Sequence, residues 1–77
     1  MKIRLNSDYA VEAMPGSLKF KTQVSARTSY FDTLEGAVKA VAMDIINHTK
    51  GELTVTEYKE LFKHTYDELM NGVIEYD

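Results

Sequence analysis

The sequence predicts an α+β fold: a small antiparallel sheet covered on one face by two α-helices, in ββαα order. Residues 2–14 and 18–30 alternate apolar and polar with period two, as half-buried strands do, whereas 33–50 and 55–71 carry apolar residues at helical spacing. Turn-forming residues stand at the joints between these runs, and 77 residues leave room for a single domain, 1–77, with strands over 2–14 and 18–31.

In the first run Ile3, Leu5, Ser7, Tyr9, Val11 and Ala13 share one side, opposite Lys2, Arg4, Asn6, Asp8, Ala10 and Glu12. Asn6-Ser7-Asp8 is turn-prone, so this stretch divides readily into two short strands. Pro15-Gly16 closes the run in a type II turn, since proline presets φ and glycine accepts a positive one. The second run then places Leu18, Phe20, Thr22, Val24, Ala26, Thr28 and Tyr30 on one side and Lys19, Lys21, Gln23, Ser25, Arg27 and Ser29 on the other. The two runs form an antiparallel hairpin whose apolar sides face the helices.

Asp32 and Glu35 have capping-box spacing at the start of the first helix. Leu34, Ala37, Val38, Val41, Ala42, Ile45 and Ile46 make its apolar stripe, and Lys50-Gly51 supplies a cationic end and a left-handed stop. Thr54 and Glu57 form the capping box of the second helix, with Leu53 placed to staple onto Tyr58. Its core stripe is Tyr58, Leu61, Phe62, Thr65, Tyr66, Leu69 and Val73, and Asn71-Gly72 ends it. Residues 73–77 read as a frayed tail or a short further strand.

Composition narrows the function classes. With 44% hydrophobic and 27% charged residues the chain is globular rather than disordered. The absence of cysteine excludes a disulfide framework, a thiolate zinc site and a thiol nucleophile. No apolar run approaches membrane-spanning length, and Met1-Lys2-Ile3-Arg4 does not open a secretory signal, so the expected compartment is cytoplasm. A chain this short buries little surface, which makes a homodimer, paired through an exposed strand edge, an expected way to gain stability.

Charge divides between the two halves. Residues 1–31 sum to +3 and residues 32–77 to −6, giving the net −3. The bases Lys2, Arg4, Lys19, Lys21 and Arg27 fall on the side of the sheet away from the helices, where they suit phosphate contacts but lack interleaved aromatics for base stacking. The acids Asp44, Glu57, Glu60, Asp67 and Glu68, with Tyr76 near the C-terminus, suit a basic protein groove. Asp44 and His48, and likewise Glu60, His64 and Asp67, share helix faces at metal-ligand spacing, but those faces are read as solvated surfaces with local ion pairs. There is no Gly-x-Ser-x-Gly elbow and the four glycines are isolated. No catalytic residue, metal or cofactor is therefore expected, and the chain is read as a non-enzyme.

The segment Tyr30-Phe31-Asp32-Thr33-Leu34-Glu35-Gly36-Ala37-Val38-Lys39-Ala40 resembles the strand-to-helix junction of small accessory proteins carried by phages and mobile elements. Met1-Lys2-Ile3-Arg4-Leu5-Asn6 followed by Tyr9-Ala10-Val11 is similar to their opening, so the resemblance covers roughly the first 45 residues. It implies a phage-derived, non-enzymatic inhibitor of the anti-CRISPR type, acting in the cytoplasm of a bacterial host on a defence protein, with a CRISPR-Cas effector subunit as one such partner. The competing expectation is a small nucleic-acid-binding module using the basic face.

Overall fold

The computed structural model describes residues 2–14, 16, 19–49, 51–71 and 75–76. The strands are β1 (Lys2–Arg4), β2 (Ala10–Ala13), β3 (Phe20–Val24) and β4 (Arg27–Phe31). The helices α1 (Leu34–Asn47) and α2 (Val55–Asn71) follow, and β5 (Glu75–Tyr76) ends the order. The sheet order is β4-β3-β2-β1-β5, with every neighbouring pair antiparallel. The α+β class and the strands-then-helices order are those read from the sequence, with β5 added beside β1.

The first run divides where Asn6-Ser7-Asp8 predicts. Leu5 N–H donates to the Tyr9 carbonyl at 3.0 Å. Asn6 Oδ1 accepts from the N–H groups of Asp8 and Tyr9, both at 2.8 Å, an Asx turn that closes the β1–β2 loop. Gly16 sits at φ +73°, as its place after Pro15 predicts; Pro15 itself lies outside the described residues.

The second run is not one strand. Ser25 and Ala26 stand at φ +50° and +62°, and Val24 pairs with Arg27 across them. Two central residues at positive φ make a type I′ turn, the geometry whose twist suits a two-residue hairpin. The chain therefore doubles back within the alternating run and the phase inverts. Phe31 opposes Phe20 and Ser29 opposes Thr22, on the helix side. Tyr30 opposes Lys21 and Thr28 opposes Gln23, on the outer side. Arg27 moves to the helix-side phase, away from the other strand bases.

The first helix also differs at its ends. Thr33, not Asp32, is the N-cap: its hydroxyl accepts from Gly36 N–H at 3.0 Å, while Asp32 accepts from Lys19 Nζ at 2.8 Å. The helix stops at Asn47 with His48 as C-cap, before Gly51, which takes φ +114° in the following loop. For α2 the capping box is as read. Thr54 N–H donates to Glu57 Oε1 at 3.0 Å and Glu57 N–H to Thr54 Oγ1 at 3.2 Å. Leu53, the proposed staple, stays 45% exposed.

The core lies between the sheet and α1. Ile3, Leu5 and Val11 come from the β1–β2 hairpin, Ala37, Val38, Val41, Ala42 and Ile46 from α1, and Leu69 from α2. Ala37, Val38, Val41 and Ala42 are completely buried because α1 is enclosed twice, by β2, β3 and β4 on one flank and by α2 on the other. Small side chains there let the layers approach closely. The α2 backbone lies along α1 rather than on the strands, so among the described residues of its stripe only Leu69 is buried.

An alanine in left-handed conformation costs about 1 kcal/mol relative to glycine. Ala26→Gly is thus expected to stabilise the protein by about that much in urea denaturation with an unchanged m-value. A destabilised variant would contradict the turn assignment.

Candidate functional site

Antiparallel pairing brings the β1–β2 loop and the β3–β4 turn to one end of the sheet. Helix α1 leaves β4 at the opposite end and runs back, so its C-terminal third arrives between the two. Asp44 lies at that meeting point. It is only 6% exposed, on the edge of the α1 stripe three residues after Val41 and seven after Ala37.

Its carboxylate is fully engaged. Tyr9 Oη–H donates to Oδ2 at 2.7 Å and Ser25 N–H to the same oxygen at 3.3 Å. Ser25 Oγ–H donates to Oδ1. His48 Nδ1 stands 3.7 Å from Oδ1 and 2.7 Å from the Asp44 main-chain carbonyl. A carbonyl accepts only, so Nδ1 carries the proton in that contact.

These donors hold the Asp44 carboxyl below its ordinary value. The Ser25 hydroxyl contributes most and the Tyr9 hydroxyl next, with the Ser25 N–H and the His48 charge adding; burial opposes them. The Tyr9 hydroxyl is pushed up from 10 to about 12, chiefly because it donates to that carboxylate.

Serine, histidine and aspartate thus meet, but not in a catalytic order. A nucleophilic triad needs the imidazole between hydroxyl and carboxylate. Here the carboxylate touches both, and His48 turns its Nδ1 to the backbone of its own helix. A carboxylate with a lowered pKa and three donors is a weak proton acceptor. What the geometry provides is an anchor: one side chain of α1 tied to two loops. A shallow depression of about 300 Å³ opens beside it, lined by Asp8, Gln23, Ala26 and the anchor residues.

Asp44 must therefore be withdrawn from the exposed acidic face; it is buried and committed. The sequence carries no local sign that Tyr9 and Ser25 meet Asp44. The other acids remain outside. Glu57 closes the α2 cap, and the Thr54 N–H, the larger cause, together with the Thr54 hydroxyl lowers its pKa. Glu68 lies 3.0 Å from His64, and Glu60 and Asp67 are exposed on the same side of α2. Among the described residues no lysine or arginine pairs with these four acids, and no three metal-ligating side chains converge. The Tyr76 backbone pairs with Ile3; its side chain lies outside the described residues.

The basic face is rearranged. Across the outer side of the sheet the register aligns Lys2, Glu12, Lys21 and Tyr30 in one row. Lys21 lies 3.7 Å from Glu12, and Lys19 pairs with Asp32 at 2.8 Å, which lowers the Asp32 pKa. Lys2 and Arg4 line a shallow concavity of about 350 Å³ with Asp8, Glu12 and Lys21. The inverted β4 phase removes Arg27 and brings in Tyr30, 55% exposed, the aromatic that the sequence reading found lacking there.

No described helix is long and apolar enough to cross a membrane. Comparison with protein-family models, with curated proteins and with solved structures finds no match to the chain.

Asp44→Asn keeps the shape and removes the charge, and is expected to cost about 2–3 kcal/mol; Tyr9→Phe is expected to cost about 1 kcal/mol. The pH dependence has two limbs. The folded Asp44 pKa is lowered, so its contribution is complete above 3.8 and disappears as the pH falls through the folded value. The folded Tyr9 pKa is raised, so its contribution is complete below 10 and disappears between 10 and about 12. Urea titrations against pH should show a shallower acid limb for Asp44→Asn and a shallower alkaline limb for Tyr9→Phe. Parallel profiles for wild type and variants would contradict the anchor.

Proposed function

We propose that this chain is a non-enzymatic interaction protein of phage or mobile-element origin. It acts in the bacterial host cell as an anti-CRISPR-like inhibitor, binding a defence protein and competing with nucleic acid for a basic groove. The contact surface is the outer band of α2, centred on Glu60, Asp67 and Glu68 and flanked by Glu57. One observation carries the choice of surface. On the sheet face Lys19 and Lys21 are paired with acids of the same chain, whereas among the described residues no lysine or arginine lies within ion-pair distance of the α2 acids. Unspent negative charge on a rigid helix complements a row of lysines and arginines without rearrangement. The opening-segment resemblance supports the class of protein, and the saturated Asp44 carboxylate supports binding rather than bond-making.

The test compares wild type with a Glu60→Lys/Asp67→Lys/Glu68→Lys variant, both immobilised and challenged with lysate from a bacterium that carries nucleic-acid-targeting defence systems. Wild type is expected to retain a basic nucleic-acid-binding protein and release it by about 0.5 M salt, where screening is nearly complete. The variant, with its circular dichroism unchanged, is expected to bind at least ~100-fold more weakly. Equal retention by both proteins would remove the α2 band from the account.

Exposed Tyr30 beside Lys21 favours a second reading, a nucleic-acid-binding sheet face that adds stacking to charge. A gel shift with mixed single- and double-stranded nucleic acid is expected to be blank at moderate salt. Retention that is lost in Tyr30→Ala would replace the first reading with this one.

A further inference from the structure

We propose that the free edge of β4 is a self-association site, and that a second copy of this chain pairs with it strand to strand in antiparallel register. The inference stands apart from the α2 surface. It rests on where the main-chain groups of β4 point.

The type I′ turn settles that direction. In a two-residue hairpin the closing pair, here Val24 and Arg27, exchanges both hydrogen bonds, and bonded and non-bonded pairs then alternate. Arg27, Ser29 and Phe31 accordingly spend their N–H and C=O groups on β3. Thr28 and Tyr30 turn theirs to the open side. The other side of β3 agrees with this phase: Met14 N–H donates to the Lys19 carbonyl at 3.1 Å, so Lys19, Lys21 and Gln23 bond toward β2 and the alternate residues toward β4.

The two edges of the sheet are unequal. At one edge β5 has two residues; at the other β4 has five, with no proline and a single charge, Arg27. Edges that must stay single are usually shortened, bulged or guarded by lysine. This one is regular, and it carries Tyr30 at 55% exposure.

The edge is complementary to itself. A two-fold axis perpendicular to the sheet, midway between the two β4 strands and level with Ser29, sets Thr28 opposite Tyr30 of the second copy, and Tyr30 opposite its Thr28. Both of these residues present open main-chain groups, so the two pairs make four hydrogen bonds. On the outer side each tyrosine ring lies against a threonine methyl, an aromatic–β-branched pair of the kind that stabilises cross-strand contacts. Arg27 falls opposite Phe31 of the second copy, not opposite another arginine. The operation joins two five-stranded sheets into one of ten strands, keeps both helix layers on the same side and leaves no long open edge.

Sedimentation velocity and amide hydrogen exchange by NMR test this on the full chain. Wild type is expected to reach twice its 8.8 kDa monomer mass as its concentration rises. The Thr28 and Tyr30 amides are expected to exchange several-fold more slowly at about 0.5 mM than at about 5 µM, approaching the ~10-fold limit that mass action sets for a monomer–dimer equilibrium over that range. Thr28→Lys/Tyr30→Lys places like charges across the axis at two exposed positions and is expected to remain monomeric. A wild type that stays monomeric up to about 1 mM overturns the proposal. A dimer in which the Thr28 and Tyr30 amides exchange freely also overturns it, since association then uses another surface. The exchange reading needs no variant and decides the matter even where the double lysine protein fails to fold.

Discussion

The arrangement of this molecule depends on one buried carboxylate. Among the described residues nine buried apolar side chains hold the sheet, α1 and α2 together, but none belongs to the β3–β4 turn, whose two central residues stand in left-handed conformations without glycine. Such a turn persists only where its surroundings determine it. Asp44 supplies that determination by accepting from both the main chain and the hydroxyl of Ser25, while Tyr9 ties the neighbouring hairpin to the same group. The turn in turn sets the phase of β4. That phase decides which residues meet α1, which lie on the open face and which main-chain groups reach the free edge. A single helix residue thereby controls the outer surface of the sheet.

Electrostatics follows from the same geometry. Two lysines of the open face find acids: Lys21 on Glu12 one strand away, and Lys19 on Asp32 just beyond β4. They are exposed pairs of small energetic weight, yet they lower the positive potential that a phosphate would meet. The acids of α2 stand on a helix whose described neighbour is α1, and among the described residues no lysine or arginine lies within ion-pair distance of them. The charge asymmetry visible in the chain is therefore partly offset on the sheet, where two lysines are paired with acids, whereas no described lysine or arginine pairs with the outer acids of α2.

What was legible in the sequence was what short-range chemistry determines. Thr54 and Glu57 announce the start of α2, and the spacing of Ala37, Val38, Val41, Ala42 and Ile46 announces the buried side of α1. Asn6 marks the first loop through hydrogen bonds to residues two and three positions away. The second turn left no such mark. Ser25-Ala26 lacks the Asn-Gly signature, and the alternation of residues 18–30 runs through it unbroken because both strands are amphipathic. The length of that run, well beyond the usual five or six residues of a strand, was the available clue. Asp44 was unreadable for a different reason. A carboxylate is assigned to the surface by default, and its donors are 19 and 35 residues away. Its place at the margin of the apolar stripe was the only local hint.

The central claim is that Asp44 is charged, buried and saturated by donors from two loops. A carbon-13 NMR titration of its carboxyl group in the folded protein addresses this most directly. The account predicts a titration midpoint below the ordinary carboxylate value of 3.8, moving up toward it when Ser25 is replaced by alanine. A midpoint at or above that value in the wild type, unaffected by the Ser25 substitution, would mean that the carboxylate is not the anchor.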